Sequence, residues 1–371
     1  MKLTIQKEPL YQALQWIQPV VEKKNTVQIL ANILCQVENN NLFISATDLE
    51  IGMKVSIPVQ NSEDGKLTLP SKQFFEIVRE LPDEEIQIEK KNNDWVEIKT
   101  KKSRFNIVSL SAEDYPALPL FEDKEFHPIK ANSLSNMIDK TAFATSTDAT
   151  RYHLNGVYFE KIENNLMRMT ATDGHRLSFV DQEIFLNQNE IKKGIIIPKK
   201  GLSEIRKLID INNGEENKIE FSNEKGYLFL KKENIYFFVR LIEGEYPDYK
   251  PVIPKNTDKT LIVDREEFIS ALRRVSLLAH EKSKGIKLSV ENNLLVITSS
   301  NPDMGEAREE LDIDFNGETI EIGFNARYLL DCLPVIDSEK IELKFKDRLS
   351  PGILQGVSQQ NHTYVVMPMR I

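Results

Sequence analysis

An apolar strand that ends in a polar corner occurs three times in this chain. It reads Leu42-Phe-Ile-Ser-Ala-Thr-Asp48, then Leu166-Met-Arg-Met-Thr-Ala-Thr-Asp173, and more weakly Leu294-Leu-Val-Ile-Thr-Ser-Ser-Asn301. The corners are 125 residues apart (Asp48 to Asp173) and 128 residues apart (Asp173 to Asn301). A second element keeps the same period: Leu69-Pro-Ser-Lys-Gln-Phe-Phe-Glu-Ile-Val-Arg-Glu-Leu81 matches Ile197-Pro-Lys-Lys-Gly-Leu-Ser-Glu-Ile-Arg-Lys-Leu-Ile209, and both resemble Gly323-Phe-Asn-Ala-Arg-Tyr-Leu-Leu-Asp-Cys-Leu333. A third, Glu113-Asp-Tyr-Pro116, returns as Glu245-Tyr-Pro247. Three elements in one order at one spacing imply three copies of one domain. Repeated domains of this size build a shape more often than a reaction centre.

A chain of 371 residues is long for a single core, and the period divides it into three domains of ordinary size. We expect these at 1–122, 127–250 and 251–371, with boundaries at the proline-rich segments Tyr115-Pro-Ala-Leu-Pro119 and Tyr246-Pro-Asp-Tyr-Lys-Pro-Val-Ile-Pro254. With 40% hydrophobic and 28% charged residues the chain is globular. A net charge of -9 argues against a simple basic nucleic-acid binder, although a net value can hide a positive face. The N-terminal residues lack an apolar core of signal-peptide length, and no stretch approaches the roughly 18 apolar residues of a membrane span. Cys35 and Cys332, the two cysteines, both sit in apolar segments and read as buried thiols. A cytoplasmic, reduced protein without disulfides is expected.

Each repeat offers two amphipathic helices: Leu10, Leu14 and Ile17, then Phe74, Ile77, Val78 and Leu81; Leu134, Met137 and Ile138, then Leu202, Ile205, Leu208 and Ile209; Phe268, Leu272 and Val275, then Leu329, Leu330 and Leu333. Approximate helical cores fall at 8–20, 70–81, 132–145, 198–209, 264–279 and 324–336. Alternating segments such as Val96-Glu-Ile-Lys-Thr and Lys218-Ile-Glu-Phe read as strands, with hairpin turns at Asn39-Asn-Asn, Lys91-Asn-Asn, Asn164-Asn and Glu291-Asn-Asn. The fold class is therefore α+β, each domain being two helices on antiparallel sheet. Such domains in a row leave sheet edges at both ends, so either the chain closes on itself or copies join end to end. The six helical stretches together carry +2, the remainder of the chain -11. The 198–209 stretch is the most basic, with Lys199, Lys200, Arg206 and Lys207; by itself such a run is usually just a solvated face.

Ala171-Thr-Asp-Gly-His-Arg-Leu177, Arg151-Tyr-His-Leu-Asn-Gly156, Glu245-Tyr-Pro-Asp-Tyr249 and Tyr364-Val-Val-Met-Pro-Met-Arg370 resemble the bacterial sliding-clamp family, the beta subunits of DNA polymerase III holoenzyme. The likeness covers the whole chain. It implies a head-to-tail homodimer closing a six-domain ring, with sheets outside and helices lining the hole. Double-stranded DNA passes through without sequence readout, and the clamp is a non-catalytic processivity factor in DNA replication. Implied partners are the DNA polymerase III alpha subunit, the clamp-loader complex, translesion polymerases and mismatch-repair proteins, docking through short peptides rich in Gln, Leu and Phe. Weak phosphate contacts would suit sliding.

Position by position, the resemblance implies a peptide pocket of Leu154, Thr172, Gly174, His175, Arg176, Leu177, Pro247, Val252, Val365, Met367, Pro368, Met369 and Arg370. Apolar side chains with adaptable thioethers suit several ligands. From its residues alone, 365–369 reads instead as a last core strand. Pro251 stands where the family commonly has arginine, and Ser350-Pro351 where a serine pair is frequent. For DNA the matching positions are Lys24, Lys72, Arg79, Arg151, Tyr152, His153, Lys199 and Lys200, with Tyr152 able to stack on an exposed base; His153 departs from a frequent tyrosine. For the dimer interface they are Lys102, Arg104 and Phe105 on one side, and Leu277, Leu278, Glu306 and Glu309 on the other.

Asp173, His175 and Ser178 raise the alternative of a hydrolase. The first repeat has the same corner at Thr47-Asp48 without a histidine, and no nucleophile elbow is present, so no catalytic residue is expected. The five histidines (127, 153, 175, 280, 362) are scattered, without metal-ligand spacing, and no phosphate-binding glycine loop occurs, so neither metal nor cofactor is expected. A repeat scaffold that binds proteins and never DNA is the other alternative.

Overall fold

The computed structural model describes residues 1–21, 27–92, 94–119, 121, 124–163, 165–185, 191, 193–211, 218–315 and 317–370. It divides into two compact units, Met1–Ala131 with Lys200–Leu241 and Asn132–Lys199 with Ile242–Ile371. The division cuts through the middle repeat, and strand pairing explains it. The second half of that repeat extends a sheet of the first repeat, because Ile235–Arg240 pairs antiparallel with Ile51–Pro58. Its first half extends a sheet of the third, because Arg176–Glu183 pairs with His362–Val366.

The first unit holds two sheets. Five strands run in the order Gln60–Glu63, Lys2–Gln6, Glu85–Lys90, Trp95–Lys99, Arg104–Val108. Eight run in the order His127–Lys130, Lys218–Glu224, Tyr227–Lys232, Ile235–Arg240, Ile51–Pro58, Asn41–Thr47, Asn32–Glu38, Gly65–Pro70. Gly52 lies opposite Phe238 in this sheet, where an added Cβ would come within 2.2 Å of the ring, so the junction strand needs a glycine there. The second unit holds a nine-stranded sheet in the order Ile195–Pro198, Gly156–Glu163, Leu166–Thr172, Arg176–Glu183, His362–Val366, Gly352–Gly356, Lys340–Phe345, Lys259–Asp264, Asp314–Phe315. It also holds a four-stranded sheet, Gly305–Asp312, Leu294–Asn301, Gly285–Glu291, Ile320–Asn325.

The expected six helices are present: α1 Lys7–Ile17, α2 Ser71–Glu80, α3 Ala131–Asp139, α4 Lys199–Asp210, α5 Arg265–Ser276 and α6 Ala326–Cys332. Leu10, Leu14 and Ile17 of α1, Phe74 and Val78 of α2, and Phe268, Leu272 and Val275 of α5 are buried, as their spacing requires. Four helices stop at least three residues short of the expected ends, α5 among them at Ser276. After α1 the chain turns through Gln18–Val20, which contains Pro19, and after α6 through Leu333–Val335, which contains Pro334; neither proline can continue the ladder. At the end of α3 the Thr141 hydroxyl donates back to the Met137 carbonyl at 2.7 Å, and a short turn Ala142–Ala144 follows.

The repeated corner is a set of hydrogen bonds. The Thr47 hydroxyl donates to the Ile51 carbonyl at 2.7 Å and accepts from the Leu49 amide, while Asp48 Oδ1 accepts from the amides of Glu50 and Ile51. In the second copy Thr172 donates to the Arg176 carbonyl at 2.6 Å and accepts from the Gly174 amide, and Asp173 Oδ1 accepts from His175 and Arg176. In the third, among the described residues, Asn301 Oδ1 accepts from the Asp303 amide alone. Burial pushes the hydroxyls of Tyr115 and Tyr246 above their ordinary value. The asparagine turns at 39–40 and 292–293 have both residues at positive φ, as a tight hairpin requires. Asn93 and Asn164, in the other two expected turns, lie outside the described residues. Cys35 and Cys332 are buried free thiols, and burial pushes the Cys35 thiol up to about 12.

Candidate functional site

The C-terminal residues leave the nine-stranded sheet after Val366 and run as an irregular tail. The Met367 amide donates to the His175 carbonyl at 3.0 Å and the Met369 amide to the Gly323 carbonyl at 2.9 Å. A cleft of about 460 Å³ lies beside Met367, lined by Pro251, Val252, Pro254, Lys255, Lys346 and Pro351. A second, of about 430 Å³, lies beside Met369 and Arg370, lined by Gly323, Arg348 and Leu349 among others. The tail is thus an accessible surface element and not a last core strand.

In the adjoining sheet, Leu177 and Val365 face each other in register and are buried with Phe179, Tyr249 and Ile353. Pro251, Val252 and Pro254 of the 246–254 segment wall the first cleft, and contacts of two tyrosines fasten that segment. Tyr246 stacks on Tyr158 with ring centroids 4.9 Å apart. Tyr249 Oη donates to Glu160 Oε1 at 2.6 Å and accepts from Arg168 at 3.4 Å. Arg168 is itself gripped by Asp181 through two bonds of 2.6 and 2.7 Å. Burial and the Glu160 carboxylate together hold the Tyr249 hydroxyl above its ordinary value.

Arg176 is spent on structure. Its guanidinium donates to Asp173 at 3.0 Å, Asp331 at 2.7 Å and the Phe143 carbonyl at 2.8 Å, and it lies 4.6 Å over the Tyr328 ring. The His175 ring stacks on the same tyrosine, centroids 6.3 Å apart. Of the thirteen sequence-expected pocket residues, Val252 and Met367 line the first cleft and Met369 and Arg370 the second. Leu154, Leu177, Val365 and Arg176 are buried beneath the surface, Pro247 and His175 are exposed, and Pro368 is half-buried in the tail between Met367 and Met369. Thr172 and Gly174 belong to the corner. Sequence reasoning missed Pro254, Lys255, Lys346, Arg348 and Leu349, which carry no period or motif; Leu349 is 64% exposed, which only coordinates reveal.

The cationic set falls in both units. Lys24 lies outside the described residues. Lys72 and Arg79 are exposed on α2, with Arg79 paired to Glu80 at 2.9 Å. On α4, Lys199 is exposed, Lys200 contacts the buried carboxylate of Asp48, Arg206 pairs with Asp210 and Lys207 with Glu204. The Ala149–Leu154 turn presents Arg151, 3.8 Å from Asp148, and Tyr152, which is 55% exposed and meets His153 edge-on at 5.6 Å.

Both terminal sheets end in uncovered strands. Arg104–Val108 closes one side of the five-stranded sheet, with Phe105 exposed and Arg104 3.7 Å from Glu97; Lys102 is exposed just before it. Gly305–Asp312 closes one side of the four-stranded sheet. Glu306 and Glu309 lie on that strand, Glu309 gripping Arg274 at 2.7 and 2.9 Å. Leu277, at the end of α5, is 74% exposed, and Leu278 half-buried.

Ser178 cannot serve His175. It is fully buried, donates to the Lys140 carbonyl at 2.5 Å and accepts from His362 Nε2 at 3.2 Å, while Asp173 is committed to the corner. No described helix is long and apolar enough to cross a membrane.

Fold and surface together define a protein of repeated α+β domains with open sheet edges and a cleft beside its C-terminal tail. Family models of the DNA polymerase III beta subunit match it throughout: the N-terminal domain at residues 1–119, the central domain at 128–248 and the C-terminal domain at 250–370. It is 33% identical to the beta sliding clamp of Vibrio cholerae over 372 residues and 36% identical to that of Caulobacter vibrioides over 376, each match covering both chains in full. The crystal structure of the DNA polymerase III beta subunit from Pseudomonas aeruginosa superposes with a TM-score of 0.93 at 32% identity, also over 100% of both chains. The chain belongs to the DNA polymerase III beta-subunit family, the beta sliding clamps. Its function is that of a DNA sliding clamp, a non-catalytic processivity factor in replication.

Proposed function

We propose that two copies of this chain join head to tail into a ring of six domains that encircles duplex DNA and tethers the replicative polymerase to it. The domains are those expected at 1–122, 127–250 and 251–371. The observation that carries this reading is the pair of uncovered edge strands, Arg104–Val108 and Gly305–Asp312, one on each terminal sheet. An open edge invites a partner strand. Phe105 and Leu277 offer apolar surface beside these edges, and Lys102 and Arg104 on one edge complement Glu306 and Glu309 on the other.

Inside the ring, Lys72, Arg79, Arg151, Lys199 and Lys200 meet phosphates, and Tyr152, with His153 beside it, stacks on an exposed base. Carboxylates already engage Arg79, Arg151 and Lys200, which keeps phosphate attraction weak and sliding free. The clefts, lined by Val252, Met367, Met369 and Arg370 among the thirteen expected positions, receive short Gln-, Leu- and Phe-rich peptides of the polymerase alpha subunit, the clamp loader, translesion polymerases and mismatch-repair proteins. The protein works in the cytoplasm, where the replication machinery stands.

Light scattering at micromolar concentration should give a mass near twice 42.7 kDa. Protein loaded on nicked circular DNA should stay bound and leave once the circle is linearised. A monomer, or retention that ignores DNA topology, would replace the ring by a DNA-independent protein-binding scaffold.

A further inference from the structure

The 346–351 loop stands between the two clefts, and Asp347 fixes its form. Its Oδ1 accepts from the Leu349 amide at 2.9 Å and the Ser350 amide at 2.8 Å, bonds that hold this carboxyl below its ordinary range. The loop's one acid is thereby committed to its own backbone. Around it, Lys346, Ser350 and Pro351 border the first cleft, and Arg348 and Leu349 the second. Lys255 adds a cation to the first cleft and Arg370 one to the second. Among the described residues, none of Lys255, Lys346, Arg348 and Arg370 forms an ion pair with a carboxylate. Glu321, the acid in the second lining, is taken by Lys287 at 2.9 Å. Four cations outside any ion pair thus border the two clefts on a chain whose net charge is -9.

We propose that the occupant of these clefts is an acidic peptide: an apolar anchor seated on Val252, Met367, Leu349 and Met369, with carboxylates reaching Lys255 and Lys346 on one side and Arg348 and Arg370 on the other. This rests on the reading of the clefts as a peptide site. Arginine can take a carboxylate through two parallel bonds, whereas lysine acts as a point charge. The rest of the acidic surface repels such a peptide, so the local cations also fix where it lands. Exposed charges of this kind act through a screened field, and the preference must weaken with salt.

The test uses the full-length protein and two labelled peptides with the same Leu-Phe anchor, one flanked by Asp and Glu, its twin by Asn and Gln, read by fluorescence anisotropy. The acidic peptide should bind about tenfold tighter at low salt, the gap closing toward 1 M salt, where the Debye length is about 3 Å. In the double variant Lys346→Glu, Arg348→Glu the order of the two peptides should reverse. Equal affinities, both weakened by Met367→Ala, would overturn the charge preference and leave the peptide cleft standing. Failure of both peptides to bind would overturn the cleft reading as well. Displacement of the acidic peptide by a single-stranded oligonucleotide of equal charge would overturn the proposal in favour of a phosphate track.

Discussion

Leu49 and Gly174 occupy the same point of the same corner in successive repeats, and both have positive φ, 76° and 90°. Each amide donates to the preceding threonine hydroxyl, so the corner demands this conformation whichever residue stands there. A leucine in the left-handed region is strained by about 1–2 kcal/mol, and Leu49 is largely exposed, so little packing offsets the cost. Asparagine tolerates the region without the extra chain entropy of glycine. Leu49→Asn should therefore raise the urea midpoint, by roughly 0.5–1 kcal/mol of stability, and Gly174→Ala should lower it by about 1 kcal/mol. Midpoints that move the other way would mean that the corners are not equivalent.

The period of the repeat made the fold class and the six helices legible, because a buried stripe on a helix and a capped turn are local properties of the chain. Leu10, Leu14 and Ile17 announce α1 without reference to anything distant. Division of the middle repeat between two units was not legible, because it depends on which strand meets Ile51–Pro58 and which meets His362–Val366, and edge pairing leaves no periodic mark. The same limit governs the cleft. Met367 and Met369 stood out through resemblance, but the sequence could not tell that Arg176 is consumed by Asp173 and Asp331, or that Lys346 and Arg348 lie on opposite sides of one loop. Those facts follow from where side chains 155 residues apart come together.

Tyr249 positions the wall of the first cleft through its 2.6 Å bond to Glu160. Tyr249→Phe keeps the ring packed against Phe179 and removes only the hydroxyl. It should cost about 1 kcal/mol of stability. Peptide affinity should fall about threefold, the equivalent of roughly 0.7 kcal/mol, with the dimer mass unchanged. An unaltered affinity would show that the 246–254 wall holds its place without this bond.

Met367 and Met369 border different clefts, so their truncation should be felt by different parts of one ligand. Met367→Ala and Met369→Ala should each weaken a Leu-Phe peptide about fivefold, or roughly 1 kcal/mol, and peptides shortened from either end should lose sensitivity to one variant but not the other. A peptide indifferent to both variants would place the partner site elsewhere.

His362 is buried between Ser178 and Lys140, and burial, aided by the Lys140 charge, pushes its imidazole down from 6.5 to about 4. The Ser178 proton goes to the Lys140 carbonyl, so the neutral ring donates from Nε2. Asp337, ion-paired to Lys140 at 2.6 Å, opposes the shift without reversing it. Between pH 6.5 and about 4 the unfolded chain binds the proton that the folded chain refuses, so stability rises with pH across that window. The contribution is whole above pH 6.5 and lost as pH falls to about 4, on the order of 3 kcal/mol. Urea midpoints across this range should fall with acidification, and His362→Gln should flatten the profile between pH 6 and 4.5. A profile as steep in that variant would assign the acid sensitivity to other groups.

Leu277 is the largest apolar exposure at the end of α5, 74% accessible beside the Gly305–Asp312 edge, while Phe105 stands on the Arg104–Val108 edge. Side chains left in water at that cost are expected to be covered in the working assembly. If the two edges meet in a head-to-tail dimer, Leu277→Asp places a charge in the apolar centre of both interfaces of the ring. Such a change should cost about 2 kcal/mol or more at each, and the loss doubles because the ring closes through two copies of the contact. Solution mass at micromolar concentration should then fall from twice 42.7 kDa toward 42.7 kDa, and retention on circular DNA should fall with it. Phe105→Ala should act in the same direction from the opposite edge. Peptide affinity measured on the resulting monomers should match the parent's, because the clefts lie within one chain. Dimers that withstand both substitutions would mean that these edges are not the ones that close the ring.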